Sequence, residues 1–159
     1  MAPQKLRLLL AEDHQDTCDL LTLVLTRENY EVDTSPSVTK ALELTRDEKF
    51  DVLIIDSRLT DGDGVDLCRA IRQSDGETPI LFYSGLGYEK DKQDAFDAGA
   101  QDYLVKPVDN SLLVKRLGKL IADSKRHCQL VRTSTVRKHS GDLQPALGGV
   151  KFSSSRHYC

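Results

Sequence analysis

The sequence predicts a doubly wound α/β domain, a parallel sheet of five strands with five helices on its two faces. Short, nearly continuous apolar runs recur along the chain, as expected of strands buried on both faces. Between them lie segments with helical apolar spacing, so strand and helix alternate five times, and parallel strands require crossovers of that kind. A length of 159 residues suffices for one domain with a sizeable core and is short for two.

The strands are Leu6-Arg7-Leu8-Leu9-Leu10-Ala11, Tyr30-Glu31-Val32-Asp33-Thr34, Asp51-Val52-Leu53-Ile54-Ile55, Pro79-Ile80-Leu81-Phe82-Tyr83 and Asp102-Tyr103-Leu104-Val105. The second and fifth are shorter in apolar content and more mixed, as edge strands usually are. The first helix spans about His14 to Glu28 with Leu20, Leu21, Val24 and Leu25 on one face. Val38, Ala41, Leu42 and Leu44 mark the second, with Ser37 as N-cap. Val65, Leu67, Cys68 and Ile71 mark the third, after a loop containing Gly62 and Gly64. Ala95, Phe96 and Ala98 mark a short fourth that ends at Gly99. Leu112, Leu113, Val114, Leu117, Leu120 and Ile121 mark the fifth, opened by Asp109 as N-cap.

Composition excludes several classes. Hydrophobic residues are 39% and charged residues 30%, a globular balance rather than a disordered one. No apolar run approaches bilayer length, and the first residues enter a core segment too short for a secretory signal, so a cytoplasmic location and no membrane partner are expected. Cys18, Cys68, Cys128 and Cys159 lack the close pairing of metal or redox sites; Cys18 and Cys68 fit apolar helix faces as core filler. Residues 1–123 hold 15 Lys+Arg against 24 Asp+Glu, whereas residues 124–159 hold 7 against 1. An acidic body disfavours nucleic acid as its ligand. The expected organisation is a folded domain over 1–122 and a basic, Ser/Gly-rich tail over 123–159, in which the last helix continues a turn or two through Leu130 and Val131 before order is lost.

In open parallel α/β sheets, ligands bind beyond the carboxyl ends of the strands. There this chain places Glu12-Asp13 after the first strand, Asp56 at the end of the third, Ser84-Gly85 at the end of the fourth and Lys106-Pro107 after the fifth. Three neighbouring carboxylates stay ionised together only if positive charge sits among them. A small hard dication with oxygen ligands, Mg2+, fits that need, and Lys106 supplies a second positive charge.

These residues, in this order at these strand ends, resemble the receiver domain of bacterial two-component response regulators, the chemotaxis-regulator type. The likeness covers roughly residues 5–122. It implies the flavodoxin-like strand order 2-1-3-4-5 and a phosphoacceptor switch in a phosphorelay. Asp56 would take a phosphoryl group from a phosphohistidine of a sensor kinase or phosphotransfer protein, giving an aspartyl phosphate. Glu12 through water, Asp13, Asp56 and the backbone carbonyl of Arg58 would hold Mg2+, with Lys106 and Ser84 contacting the phosphoryl oxygens. Ser84 and Tyr103 would act as the switch, changing the face of the fourth helix, fifth strand and fifth helix for a downstream protein target. Beyond transfer to itself and slow self-dephosphorylation, no enzymatic activity is implied, and homodimer formation stays open.

The chemistry agrees with those roles. Phosphoryl transfer asks mainly for in-line positioning and neutralised oxygens, and a carboxylate acceptor gives an anhydride that water later cleaves. A cis Lys106-Pro107 bond is a further family expectation. Thr60 stands where the family often has proline, which would leave the loop after Asp56 less rigid. By the same resemblance, Arg58 and Leu86 occupy positions that tune phosphate lifetime in the family.

Taken singly, Asp13 could cap a helix, Asp56 could close a strand, Lys106 could be a solvated charge and Tyr103 an edge aromatic; their joint placement is what carries weight. His14, His127, His139 and His157 show no metal-ligand spacing and read as surface residues. A flavodoxin-like cofactor binder would need a Gly/Ser/Thr-rich phosphate loop where Glu12-Asp13 stand. A calcium loop at Asp61-Gly62-Asp63-Gly64 lacks its remaining acidic ligands. A DNA-binding effector would need two more apolar-patterned helices than residues 124–159 supply, so nucleic acid is not expected as a partner. A stand-alone regulator is the expectation, with a fragment of a longer one as the alternative.

Overall fold

The computed structural model describes residues 2–136. Five parallel strands form the sheet: β1 (Leu6–Ala11), β2 (Tyr30–Ser35), β3 (Val52–Ile55), β4 (Ile80–Ser84) and β5 (Asp102–Val105). Their order is β2-β1-β3-β4-β5, as the resemblance implies, and β2 and β5 are the edges. Helices α1 (Gln15–Arg27), α2 (Val38–Asp47), α3 (Gly64–Arg72), α4 (Glu89–Ala98) and α5 (Asn110–Val136) fill the crossovers and follow β5. A two-residue antiparallel ribbon, Arg58–Leu59 against Gly62–Asp63, shapes the loop between β3 and α3.

Side chains alternate across the sheet, and both sets are apolar, which is why the strands read as unbroken runs. Leu9, Ala11, Leu53, Ile55, Ile80, Phe82 and Tyr103 pack with Ala41, Leu67, Cys68, Ile71, Ala95 and Ala98, so α2, α3 and α4 cover one face. Leu8, Leu10, Val52, Ile54, Leu81, Tyr83 and Leu104 pack with Cys18, Leu21, Leu25, Leu113, Leu117 and Ile121, so α1 and α5 cover the other. Register keeps the sets apart: Leu10 pairs with Ile54, and Ile54 with Leu81. Each fully buried Leu or Ile contributes on the order of 2 kcal/mol by leaving water.

Several caps follow from local sequence. Ser37 Oγ accepts from Lys40 N at 3.1 Å at the start of α2, and Asp109 Oδ1 accepts from Ser111 N at 2.7 Å at the start of α5. Gly99 closes α4 at φ 113°, where a side chain would be strained. Asp63, inside the expected loop, caps α3 by accepting from Val65 N at 2.7 Å.

Four expectations need correction. Leu20 is exposed, and the buried stripe of α1 is Cys18, Leu21 and Leu25; turning that face inward carries Leu20 out. Phe96 is likewise exposed, because the small Ala95 and Ala98 let α4 lie close to the sheet. Gly64 is the first residue of α3 rather than loop. Helix α5 does run on through Leu130 and Val131, but it ends later than expected, at Val136, and is tied by an Arg126–Asp123 ion pair and by Ser124 Oγ donating to Glu77 O at 3.4 Å. The tail beyond Val136, with Cys159, lies outside the described residues.

Candidate functional site

The strand order reverses at β1, and the crevice between the carboxyl ends of β1 and β3 is where such sheets receive ligands. Backbone bonds continue past the strand ends and fix the residues there. Glu12 N donates to Ser35 O at 2.9 Å, Asp56 N to Ala11 O at 2.9 Å and Lys106 N to Ser84 O at 2.8 Å. The side chains that follow are therefore delivered to one rim.

At that rim Lys106 Nζ donates to Glu12 Oε2 at 2.5 Å and to Asp56 Oδ2 at 2.9 Å. Glu12 is 2% exposed and Asp56 7%, so two carboxylates are buried side by side. Such a pair is tolerable only with a counter-charge, and the lysine provides it. Burial pulls the Lys106 pKa down, but the bonds and charges of Glu12 and Asp56 outweigh it and hold the ammonium above its ordinary value. The peptide bond Lys106-Pro107 is cis.

Asp13 and His14 complete the cluster. His14 Nδ1 lies 2.8 Å from Asp13 Oδ1 and 3.3 Å from Glu12 Oε1. Hydrogen bonding to Asp13, then the charges of Asp13 and Glu12, hold the imidazole above its ordinary pKa. One ligand atom each from Glu12, Asp13, His14 and Asp56 falls within 4.8 Å of the others. The donor set suits a hard dication, since three carboxylates offer oxygen ligands around the single ammonium that bridges Glu12 and Asp56. A cleft of about 400 Å³ opens onto this group, lined by His14, Thr17, Asp56, Arg58, Ser84 and Lys106 among others.

Ser84 is buried at the end of β4, and its Oγ accepts from Leu86 N at 3.2 Å. Tyr103 is packed inward, stacked on Phe82 with centroids 5.8 Å apart, and its hydroxyl donates to Leu86 O at 2.7 Å. Leu86 thus joins Ser84 to Tyr103 through its own backbone, a link without any side-chain signature.

A family model described as the response regulator receiver domain matches residues 8–118. The chain belongs to that family. The matched span contains Glu12, Asp13, Asp56, Ser84, Tyr103 and Lys106. Among curated relatives, response regulator ArlR of Staphylococcus aureus is 36% identical over 115 residues, covering 72% of this chain and 52% of the relative. The chain spans about half the length of the curated relatives it matches. A putative response regulator from Chloroflexus aurantiacus superposes with a TM-score of 0.71 at 35% identity, covering 74% of this chain and 98% of that one. The non-phosphorylated HemR receiver domain of Leptospira biflexa gives 0.69 at 30% identity, covering 74% and 94%. A CheY-like receiver from Methanospirillum hungatei gives 0.75 over 77% and 98%, but at 21% identity it speaks to the fold alone.

As a receiver domain of two-component response regulators, the chain is a signalling switch, and its acidic cluster could hold a metal. No helix among the described residues is long and apolar enough to cross a membrane.

The loop after Asp56 overturns one expectation. Thr60 N and Thr60 Oγ1 both donate to Pro36 O, at 2.9 and 2.7 Å, so the residue that replaces proline tethers the loop; proline lacks the N–H. Asp61 reinforces the tether by accepting from Val38 N at 2.6 Å and Thr39 Oγ1 at 2.6 Å. Its carboxyl is committed to the N-terminus of α2, and that of Asp63 to α3, which leaves neither for a calcium loop. His14 is exposed, as its sequence context suggests, yet its Nδ1 sits among the carboxylates.

Proposed function

We propose that Asp56 is the phosphoacceptor of this receiver and takes a phosphoryl group from a phosphohistidine of a partner kinase or phosphotransfer protein. The observation that carries this is the bridge from Lys106 Nζ to both Glu12 and Asp56. It holds the acceptor carboxylate oriented at the mouth of an open cleft. Lys106 is then the group that follows charge from Asp56 onto the transferred phosphoryl oxygens, and Ser84 donates to another of them.

Glu12, Asp13, Asp56 and the backbone carbonyl of Arg58 are the residues assigned to Mg2+. When bound, the ion supplies neutralisation of the phosphoryl oxygens in an otherwise repelling pocket. Glu12 and Asp13 contribute charge and orientation. Asp56 Oδ1 accepts from Ser57 N at 2.6 Å, which fixes the rotation of the carboxylate. An aspartyl phosphate is hydrolysable, so the domain turns over its own signal slowly and performs no other chemistry.

Output follows from the shared attachment of Ser84 and Tyr103 to Leu86. Recruiting Ser84 Oγ to a phosphoryl oxygen takes it from Leu86 N, and the segment that also anchors Tyr103 is free to adjust. The face formed by α4, β5 and α5 thereby changes its affinity for a downstream protein. We assign the receiver to 1–122 and treat 123–159 as a separate basic segment, acting in the cytoplasm through protein contacts rather than nucleic acid. Incubation with a small-molecule phosphodonor and Mg2+, followed by intact mass, should add one phosphoryl group. Addition that persists in Asp56→Asn, or with chelator, would refute the assignment.

A further inference from the structure

A lysine ammonium carries three N–H donors. Two of those of Lys106 go to Glu12 Oε2 and Asp56 Oδ2, and no third hydrogen-bond acceptor stands among the described residues. Beside the ammonium lies the ring of Tyr83, its centroid 5.2 Å from Nζ, within the distance at which an aromatic face attracts a cation. Register and pleat produce the contact. Tyr83 pairs with Leu104 across the parallel ladder of β4 and β5, and both pack on the side of the sheet covered by α1 and α5. Alternation sends Ser84 to the opposite side. Lys106 follows Leu104 by two positions, and its N–H donation to Ser84 O at 2.8 Å keeps the ladder going past the end of β5. Its side chain is therefore delivered to the side of Tyr83. The tyrosine is 8% exposed, in the apolar layer that includes Cys18, Leu104 and Leu113, so packing fixes where the ring sits. Among the described residues its hydroxyl has no hydrogen-bond partner, which leaves the ring as the part that acts on the site.

An aromatic face differs from an oxygen acceptor in a way that suits this position. A hydroxyl or carboxylate there would engage the third N–H in a directional bond and compete with an incoming phosphoryl oxygen. The ring attracts the charge as a whole, so the ammonium can turn while the attraction persists. We propose that Tyr83 is a positioning residue for phosphoryl transfer: its buried ring holds the Lys106 ammonium at Glu12 and Asp56 and steadies it while its hydrogen bond passes from Asp56 to the transferred group. The inference rests on the phosphoacceptor function proposed above. The plainer reading makes Tyr83 a core filler whose nearness to Lys106 is incidental, and the two readings differ in what a leucine at this position would do.

The test follows the initial rate of phosphorylation of the full chain by a small-molecule phosphodonor with Mg2+, read by intact mass. It compares the unaltered protein, Tyr83→Phe, Tyr83→Leu, Lys106→Met and the double variant Tyr83→Leu with Lys106→Met. Tyr83→Leu keeps apolar bulk but loses the ring, and should slow the reaction by roughly threefold to tenfold, the scale of one cation–π contact. Tyr83→Phe keeps the ring face and should retain most of the rate. In the Lys106→Met background the same leucine change should cost less than about twofold, because the ring acts through the ammonium. Equal slowing in both backgrounds is what a core filler would give, and it would overturn the proposal, as would an unslowed Tyr83→Leu. Nuclear magnetic resonance supplies a second readout: the ε-methylene protons of Lys106 should be shifted upfield by the ring in the unaltered chain and in Tyr83→Phe, and return to their ordinary position in Tyr83→Leu. An ordinary position in the unaltered chain would also overturn the proposal. A thermal melt verifies folding; should Tyr83→Leu not fold, the rate of Tyr83→Phe and the upfield shift in the two folded proteins decide the matter. If Asp56 is phosphorylated at the same rate in every ring variant, only the role of Tyr83 falls. If the unaltered chain takes no phosphoryl group at Asp56, the phosphoacceptor assignment falls, and this role with it.

Discussion

Gly64 is pressed against the backbone of Asp56: a Cβ built on Gly64 would lie 2.0 Å from the Asp56 carbonyl oxygen and 2.9 Å from Ile55 Cγ2. Its own N–H donates to Ser57 O at 2.9 Å. The first turn of α3 is thereby seated directly on the segment that carries the acceptor, and only a residue without a side chain permits the approach. Gly64→Ala is expected to destabilise the domain by about 2 kcal/mol, as overpacking does. Urea denaturation measures this, and phosphorylation should slow in the same variant. Unchanged stability would show that the backbone of Asp56 tolerates displacement.

Thr60 should behave as a tether. Replacing it by valine keeps the backbone bond to Pro36 O and removes the hydroxyl bond, for an expected loss of about 1 kcal/mol. Thr60→Pro removes both and should cost more, despite stiffening the unfolded chain. Equal stability of the valine and proline variants in chemical denaturation would argue against a two-bond tether.

Lys106 predicts alkaline behaviour. Glu12 and Asp56 raise its pKa on folding, once their effect has overcome burial. A group raised in the folded state contributes stability that is full below its unfolded pKa, about 10.4, and is lost as pH rises through the folded value. The difference in melting temperature between the unaltered chain and Lys106→Met should therefore hold up to about pH 10 and shrink above about 10.4. Tyr30, whose pKa burial raises, titrates in both proteins and cancels from the difference. A gap that is constant through pH 11 would mean that the ammonium does not stabilise the carboxylates.

Asp61 predicts the opposite limb. Hydrogen bonds from the Thr39 side chain, then from the Thr39 and Val38 backbone, hold its carboxyl below the usual range. A depressed carboxylate contributes stability above its unfolded pKa, near 3.9, and loses it as pH falls through the folded value. Asp61→Ala should be less stable at pH 7 and show a flatter acid limb between pH 5 and 2. Far-ultraviolet circular dichroism along an acid titration follows the transition, and superimposable curves for the two proteins would rule out the contribution.

The positions that resisted sequence reading share a cause. The apolar periodicity of α1 admits both Leu20 and Cys18, and only packing against Leu8, Leu10 and Ile54 selects Cys18, Leu21 and Leu25. The apolar face of α5 fades near Ile121, and Leu130 and Val131 extend the expected helix by only a turn or two, whereas helix propensity and a local ion pair carry it to Val136. Gly64 and Thr60 owe their roles to Asp56 and Pro36, partners 8 and 24 residues distant in sequence.

From its sequence alone, this chain determined five buried strands, the helices between them, and acidic, hydroxyl and basic residues at the strand ends. Those features follow from local periodicity and from the rule that parallel α/β sheets bind at their carboxyl edge. Tertiary structure decided the pairings: Lys106 with both Glu12 and Asp56, Leu86 between Ser84 and Tyr103, and His14 turned toward the carboxylates. Such contacts join residues up to 94 positions apart. Their geometry depends on strand order, register and backbone direction together, and no local pattern encodes all three.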